Sequence, residues 1–248
     1  MRLSFDAGVA LVAGGSGGIG AAVVRNLVRH GIPVAFTYHR SRAAADELRR
    51  EAPAGAPLAA YPWSTASLDD AAKLIEEAER DLGSVRFLVA ASGVGQEAAL
   101  HRLGQDEARL IVDTNLTAVI ALARAAVPAM MKAGQGRAVF VGSVAGSRGM
   151  KGQTVYAATK AALEGFTRAL AREAGMFGVT VNCIAPGFID TRLTAGLPPR
   201  VRSEWLARIA LARAGQPEEV AQLVAFVMSR EAAYLTGQTL RIDGGLSA

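Results

Sequence analysis

Six short runs of aliphatic and β-branched residues recur along the chain at wide intervals: Val9-Ala10-Leu11-Val12, Pro33-Val34-Ala35-Phe36, Phe87-Leu88-Val89-Ala90, Ala138-Val139-Phe140-Val141, Val179-Thr180-Val181 and Thr239-Leu240-Arg241-Ile242. Each is predicted to be a strand. Continuous apolar strands are expected where both faces of a sheet are covered, which is how a parallel sheet flanked by helices is built. Between the first two runs, Ile19, Val23 and Leu27 recur at helical spacing with Val24 and Val28, and Gly31 follows where a left-handed residue ends a helix. That is a βαβ unit. The alternation as a whole predicts an α/β fold, a doubly wound parallel sheet with helices on both faces.

Two later helices, over roughly 106–131 and 156–177, are rich in Ala, Leu and Gly and carry few charges around much of their circumference. Such helices pack against a sheet, and two of them also suit a subunit interface, so a homo-oligomer is expected. No linker, charge block or fixed-period repeat divides the 248 residues, which are read as one domain, 1–248. The first residues, Met1-Arg2-Leu3-Ser4-Phe5-Asp6, lack the apolar stretch of a signal peptide, and no later run approaches about 18 uncharged apolar residues. A cytoplasmic protein without membrane contact is expected.

Composition narrows the chemistry. Cys183 is the one cysteine, set in an apolar run, which excludes an internal disulfide and suits a buried inert thiol. His30, His39 and His101 show neither helical pairing nor a neighbouring cysteine cluster, so no metal site is expected. Redox chemistry would have to come from an organic cofactor. Lys and Arg outnumber Asp and Glu by 27 to 22, but the charge is scattered and aromatic residues are few, so nucleic acid is not expected as a partner.

Ala13-Gly14-Gly15-Ser16-Gly17-Gly18-Ile19-Gly20 joins the first strand to the first helix. Glycines there let the backbone approach a pyrophosphate, and the helix start adds free N–H groups and the positive end of its dipole. Gly14, Ser16, Gly17, Gly18, Ile19 and Gly20 are therefore candidate dinucleotide contacts. The second strand is expected to end near Thr37, where an acid would bind the ribose hydroxyls of NAD. No acid is there. His39, Arg40 and Ser41 offer a guanidinium and a hydroxyl instead, which match the 2′-phosphate of NADPH.

Tyr156 and Lys160 are four residues apart and share one face of a helix; Ser143 lies thirteen residues upstream, just after a predicted strand, and Asn115 lies within a long helix. With the glycine loop, Asp113-Thr114-Asn115-Leu116-Thr117, Gly142-Ser143-Val144, Ala185-Pro186-Gly187 and Gly237-Gln238-Thr239, they make the chain resemble the short-chain dehydrogenases/reductases from end to end. Within that family it is most similar to bacterial 3-oxoacyl-(acyl carrier protein) reductases, through Gly152-Gln153 before Tyr156, Leu163-Glu164-Gly165-Phe166-Thr167 and Pro186-Gly187-Phe188-Ile189-Asp190-Thr191.

The resemblance implies a Rossmann fold, a homotetramer, NADPH as cofactor and a catalytic set of Asn115, Ser143, Tyr156 and Lys160. It adds Gly93, Tyr156, Lys160, Pro186, Gly187, Ile189 and Thr191 to the cofactor contacts, and Gln153 to Ser143 and Tyr156 as substrate contacts. Reduction of a carbonyl leaves negative charge on oxygen, which needs hydrogen-bond donors and then a proton. Ser143 would hold the oxygen, Tyr156 would protonate it, and Lys160 with the oxidised nicotinamide would lower the tyrosine pKa from its usual value of about 10. By the same resemblance Lys160 also holds the nicotinamide ribose and Asn115 supports a water chain.

The implied substrate is a 3-oxoacyl thioester on acyl carrier protein or coenzyme A, with the net positive charge suiting either. Alternatives are a free ketone, alcohol, sugar or steroid as substrate, or a non-catalytic subunit of a reductase complex. Three segments depart from the family pattern: Ala90-Ala91-Ser92-Gly93 where Asn-Asn-Ala-Gly is usual, Tyr61-Pro62-Trp63 where an acid often lies near the adenine, and Ala13 in place of Thr. Gly134 and Phe177 also stand where carrier-dependent relatives place docking arginines.

Overall fold

The computed structural model describes residues 3–64, 68–96 and 98–248. Met1 and Arg2, the first residues weighed for a signal peptide, lie outside them. In chain order the elements are β1 (Val9–Ala13), α1 (Gly18–Arg29), β2 (Val34–Tyr38), α2 (Arg42–Glu51), β3 (Leu58–Pro62), α3 (Leu68–Leu82), β4 (Val85–Ala90), α4 (Gln105–Val112) and α5 (Ala118–Lys132). They continue with β5 (Gly136–Val141), α6 (Val144–Arg148), α7 (Thr154–Ala174), β6 (Val179–Pro186), α8 (Arg192–Ala195), α9 (Pro199–Leu206), α10 (Pro217–Met228) and β7 (Thr239–Ile242).

All seven strands run parallel in the order β3-β2-β1-β4-β5-β6-β7. The chain winds outward from β1 to β3, then returns past β1 to β4 and winds the other way. The strand order therefore reverses between β1 and β4, and a crevice opens at their C-terminal ends where ligands of such sheets bind. β1 and β5 are buried at every position because both faces are covered, as their unbroken apolar runs predict. One face packs against α3, α5 and α7 through Leu74, Leu122, Met130 and Leu163, the other against α1, α2 and α10 through Leu27, Leu48 and Val224. Phe36, Phe87 and Phe140 are fully buried within these layers, each worth roughly 1.5–3 kcal/mol of burial.

The six expected strands are present, and a seventh, β3, was not expected. Its sequence, Leu58-Ala59-Ala60-Tyr61-Pro62, has little β-propensity and sits at the sheet edge, where Pro62 costs no ladder bond on the open side. β6 also runs five residues beyond the expected Val179–Val181, to Pro186. The expected long helix over 106–131 is a rod from Gln105 to Lys132 interrupted by one π-helical turn, Asp113–Thr117, which carries Asn115. By length and hydropathy this rod could cross a membrane, but 56% of its most apolar stretch is buried within the fold, as in a core helix. α8 and α9 follow β6, and a small cluster of Val144, Phe188, Ile209 and Leu246, with Trp205 packed on it, seats them over the ends of β5 and β6.

Candidate active site

The glycine loop fits a dinucleotide phosphate for reasons visible atom by atom. Gly14 turns with φ +75°, and its N–H donates to Thr37 Oγ1 at 2.9 Å, which ties the loop to the end of β2. A Cβ on Gly20 would land on the Gly14 carbonyl, and one on Gly18 would stand 2.8 Å from Thr191 Cγ2. The N-cap Gly17 has no side chain to cap α1 and the first turn holds no acid, so the amides and positive dipole end stay available to an anion. His39 and Arg40 are exposed just beyond β2, and Ser41 precedes α2.

From this loop a cleft of about 140 Å³ runs toward the ends of β4, β5 and β6. Ile19 lines it from α1, Gly93 from beyond β4, and Tyr156 and Lys160 from α7; Pro186, Gly187, Ile189 and Thr191 close the far side. The structure thus brings these expected cofactor residues to one cleft, whose size and donors fit a nicotinamide and its ribose. A Cβ on Gly93 would stand 3.4 Å from both Asn115 Oδ1 and Lys160 Nζ, at the edge of ordinary van der Waals contact.

Ser143 follows β5 and N-caps α6, its Oγ accepting from the Ala145 N–H at 3.1 Å. Tyr156 lies in the first turn of α7; burial pushes its phenol pKa up, and a hydrogen bond with Ser143 works against that rise. Lys160, one turn on, is buried, and desolvation brings its ammonium down to about 8. Its Nζ donates to the Val141 carbonyl at 2.8 Å and stands 5.7 Å from the centre of the Tyr156 ring. Cys183 is buried beside Lys160, and burial raises its thiol to about 11, so it is inert as a nucleophile near neutrality.

Asn115 is fully buried. Its Oδ1 accepts from Val94 N at 2.8 Å, and its Nδ2 donates to Val94 O at 3.0 Å and to Thr159 Oγ1 at 3.4 Å. Gln96 was not foreseen: it is 1% exposed, and its Oε1 accepts from the N–H groups of Val155 and Tyr156 at 3.0 and 3.2 Å. No spacing or motif signals such a partner sixty residues from the helix it caps; a neutral amide in a glycine- and alanine-rich loop was its only trace.

A larger cavity of about 610 Å³ opens beside the cleft, sharing Ser143, Tyr156 and Gly187 with it. Gln96, Gln153, Phe188 and Trp205 line it. It continues past Val144 and Trp205 into a lobe of about 220 Å³ that carries Arg148, Lys151 and Arg208 and no acid. Phe188 and Trp205 stack at 5.7 Å with their planes 4° apart, so α9 is held over the cavity by an aromatic pair. Arg202 pairs with Asp190 at 3.1 Å at the base of the same flap.

A family model described as enoyl-(acyl carrier protein) reductase matches residues 13–247. Among curated proteins, the 3-oxoacyl-[acyl-carrier-protein] reductase of Pseudomonas aeruginosa is 42% identical over 247 residues, covering 98% of this chain and 99% of its own. That of Escherichia coli is 38% identical over 247 residues, with the same shares. The acetoacetyl-CoA reductase of Allochromatium vinosum is 36% identical over 240 residues, 96% of this chain and 98% of its own.

Proposed function

Because the chain belongs to the short-chain dehydrogenase/reductase family, we propose that it reduces a 3-oxoacyl thioester to the 3-hydroxyacyl form with NADPH. The observation that carries this reading is the junction of two cavities at Ser143 and Tyr156: a cleft fitted to a nicotinamide and a chamber large enough for an acyl chain. Relatives named for reduction of carrier-linked and coenzyme A-linked substrates support the thioester, and the cationic lobe suits the phosphate-bearing arm of either.

The glycine loop and the cleft beside Tyr156 and Lys160 would hold a nicotinamide dinucleotide, which would supply the hydride. The Ser143 hydroxyl donates to the substrate carbonyl oxygen and stabilises the charge that develops there. Tyr156, kept protonated across neutral pH by its burial, gives its phenolic proton to that oxygen. Lys160 spends one of its three donors on Val141 and has two left for the ribose hydroxyls, from where its charge supports the phenolate once the proton has left. Asn115 holds Val94 and so keeps Gly93 at the cleft, beside the water chain that returns the proton. Gln153 faces the substrate.

Residues 1–248 are read as one working unit. Homotetramer formation is supported by the exposed apolar Leu110, Val112 and Ile120 on α4 and α5 and by Phe177 just past α7. A cytoplasmic setting suits the single buried thiol. The test is oxidation of NADPH by the purified enzyme with acetoacetyl-carrier and acetoacetyl-CoA against free β-keto esters and cyclic ketones. Thioester turnover well above that of free ketones is expected; rapid reduction of free ketones with none of any thioester refutes the substrate assignment.

A further inference from the structure

We propose that Gln96 is a positioning residue that fixes where Tyr156 stands, an inference that rests on Tyr156 being the proton donor. The first amides of a helix have no partner within it, and short polar side chains at the N-cap usually satisfy them. α7 lacks that device: its N-cap, Gln153, makes no side-chain capping bond. Gln96 takes its place from the loop after β4, its Oε1 accepting from Val155 N at 3.0 Å and Tyr156 N at 3.2 Å. Its Nε2 donates to the Ala98 carbonyl at 2.7 Å and reaches Thr154 Oγ1 at 3.5 Å. A flipped amide would turn its N–H groups against two helix amides and an oxygen against the Ala98 carbonyl, so only one orientation satisfies the site.

The bracket closes on itself. Two residues before Gln96, Val94 is held at both its N–H and its carbonyl by Asn115. Asn115 Nδ2 reaches Thr159 Oγ1 at 3.4 Å, and Thr159 Oγ1 donates to the Tyr156 carbonyl at 2.7 Å. The peptide N–H of Tyr156 is thus held through Gln96 and its carbonyl through Thr159, both anchored on the π-helical turn. Gln96 and Asn115 are buried, so the ring is shielded from competing water. Loss of one member lets the first turn of α7 relax, and a misplacement of about 1 Å at a reacting group can cost on the order of a hundredfold in rate.

Gln96→Leu and Gln96→Glu separate this from a merely structural or substrate-lining role. The leucine deletes both polar ends, whereas a glutamate held neutral by its burial keeps a carbonyl oxygen against both amides and turns an O–H to the Ala98 carbonyl. With whichever carbonyl compound the wild type reduces best, Gln96→Leu should lower kcat by about tenfold or more, with KM and the NADPH Kd within about twofold. Gln96→Glu should keep kcat within about threefold while its acid is protonated and lose it as rising pH ionises the carboxylate against the Ala98 carbonyl, and its Tyr156 phenol, followed by ¹³C NMR of tyrosine labelled at Cζ, should then titrate at higher pH than in the wild type. Equal kcat losses in the two variants, a change confined to KM, or an unshifted Tyr156 titration in Gln96→Glu would overturn the proposal. The NMR titration needs no turnover, so a wild type that reduces no thioester refutes the proposed substrate and leaves Gln96 to be decided by its own result.

Discussion

Arg40→Ala removes a charge that the fold itself does not use. Arg40 follows β2 directly and is exposed, and among the described residues no hydrogen bond or ion pair engages its guanidinium. Its neighbour Arg42 points along α2 toward Asp46 at 3.9 Å, an i,i+4 surface pair worth only a few tenths of a kcal/mol. Against a 2′-phosphate, Arg40 would form a charge-assisted hydrogen bond worth about 1.5–3 kcal/mol, or roughly ten- to a hundredfold in affinity. Exposure to solvent places the expected loss in the lower half of that range, and salt should narrow it further, since ions screen such contacts over about 8 Å at physiological strength. Fluorescence titration of each dinucleotide should therefore show a Kd for NADPH raised about ten- to thirtyfold, a Kd for NADH within about twofold of the wild type, and an unchanged Tm. Arg42→Ala is the control and should move neither. Equal weakening for NADPH and NADH, or an effect of Arg42→Ala as large as that of Arg40→Ala, would refute the assignment of the 2′-phosphate to Arg40.

Tyr156→Phe deletes only the acidic hydroxyl, so turnover should fall by at least about a hundredfold while the NADPH Kd is kept; a variant retaining a tenth of the wild-type rate would show that another group gives the proton. Lys160 titrates at about 8 in the folded protein, so between that value and its ordinary pKa the unfolded chain binds a proton that the folded chain does not. The stability of the wild type should accordingly rise with pH over that window, and denaturant titration of Lys160→Met should show less of this rise; parallel pH profiles would mean that Lys160 is not desolvated. Ile120→Glu together with Leu110→Glu places charge on the exposed apolar face of the long rod and should reduce the assembly seen by light scattering, and an unaltered mass would exclude that face from the interface.

The sheet was legible because its strands are buried on both sides and so leave unbroken apolar runs. β3 was not, because Leu58-Ala59-Ala60-Tyr61-Pro62 carries no β-branched residue and ends in a proline. At the site, Tyr156, Lys160 and the glycine loop were readable because their spacing is local: four residues along a helix, or four between one strand and the next helix. Ser143 and Asn115 were reached by resemblance to a family, and Gln96 by neither route. Its partners lie on a segment sixty residues away, and a hydrogen bond between distant loops leaves no periodicity behind. Four residues on a helix set the face that Tyr156 and Lys160 share but not their partners, and the Lys160 ammonium is turned to the Val141 carbonyl.

The π-helical turn has a consequence for how far this helix can be altered. One extra residue in a helix of 3.6 residues per turn rotates everything beyond it by about 100°. α4 is therefore turned by about that angle from where one regular helix continuing α5 would set it. Removing one residue between Asp113 and Thr117 would heal the helix into regular α geometry and withdraw Asn115 from Val94 in the same motion. It would also swing Leu110 and its neighbours to a different side of the molecule. A deletion that improves the helix would at once cut the tie to the loop beneath Gly93 and redraw the outer surface, so this segment can vary in the identity of its residues far more readily than in their number.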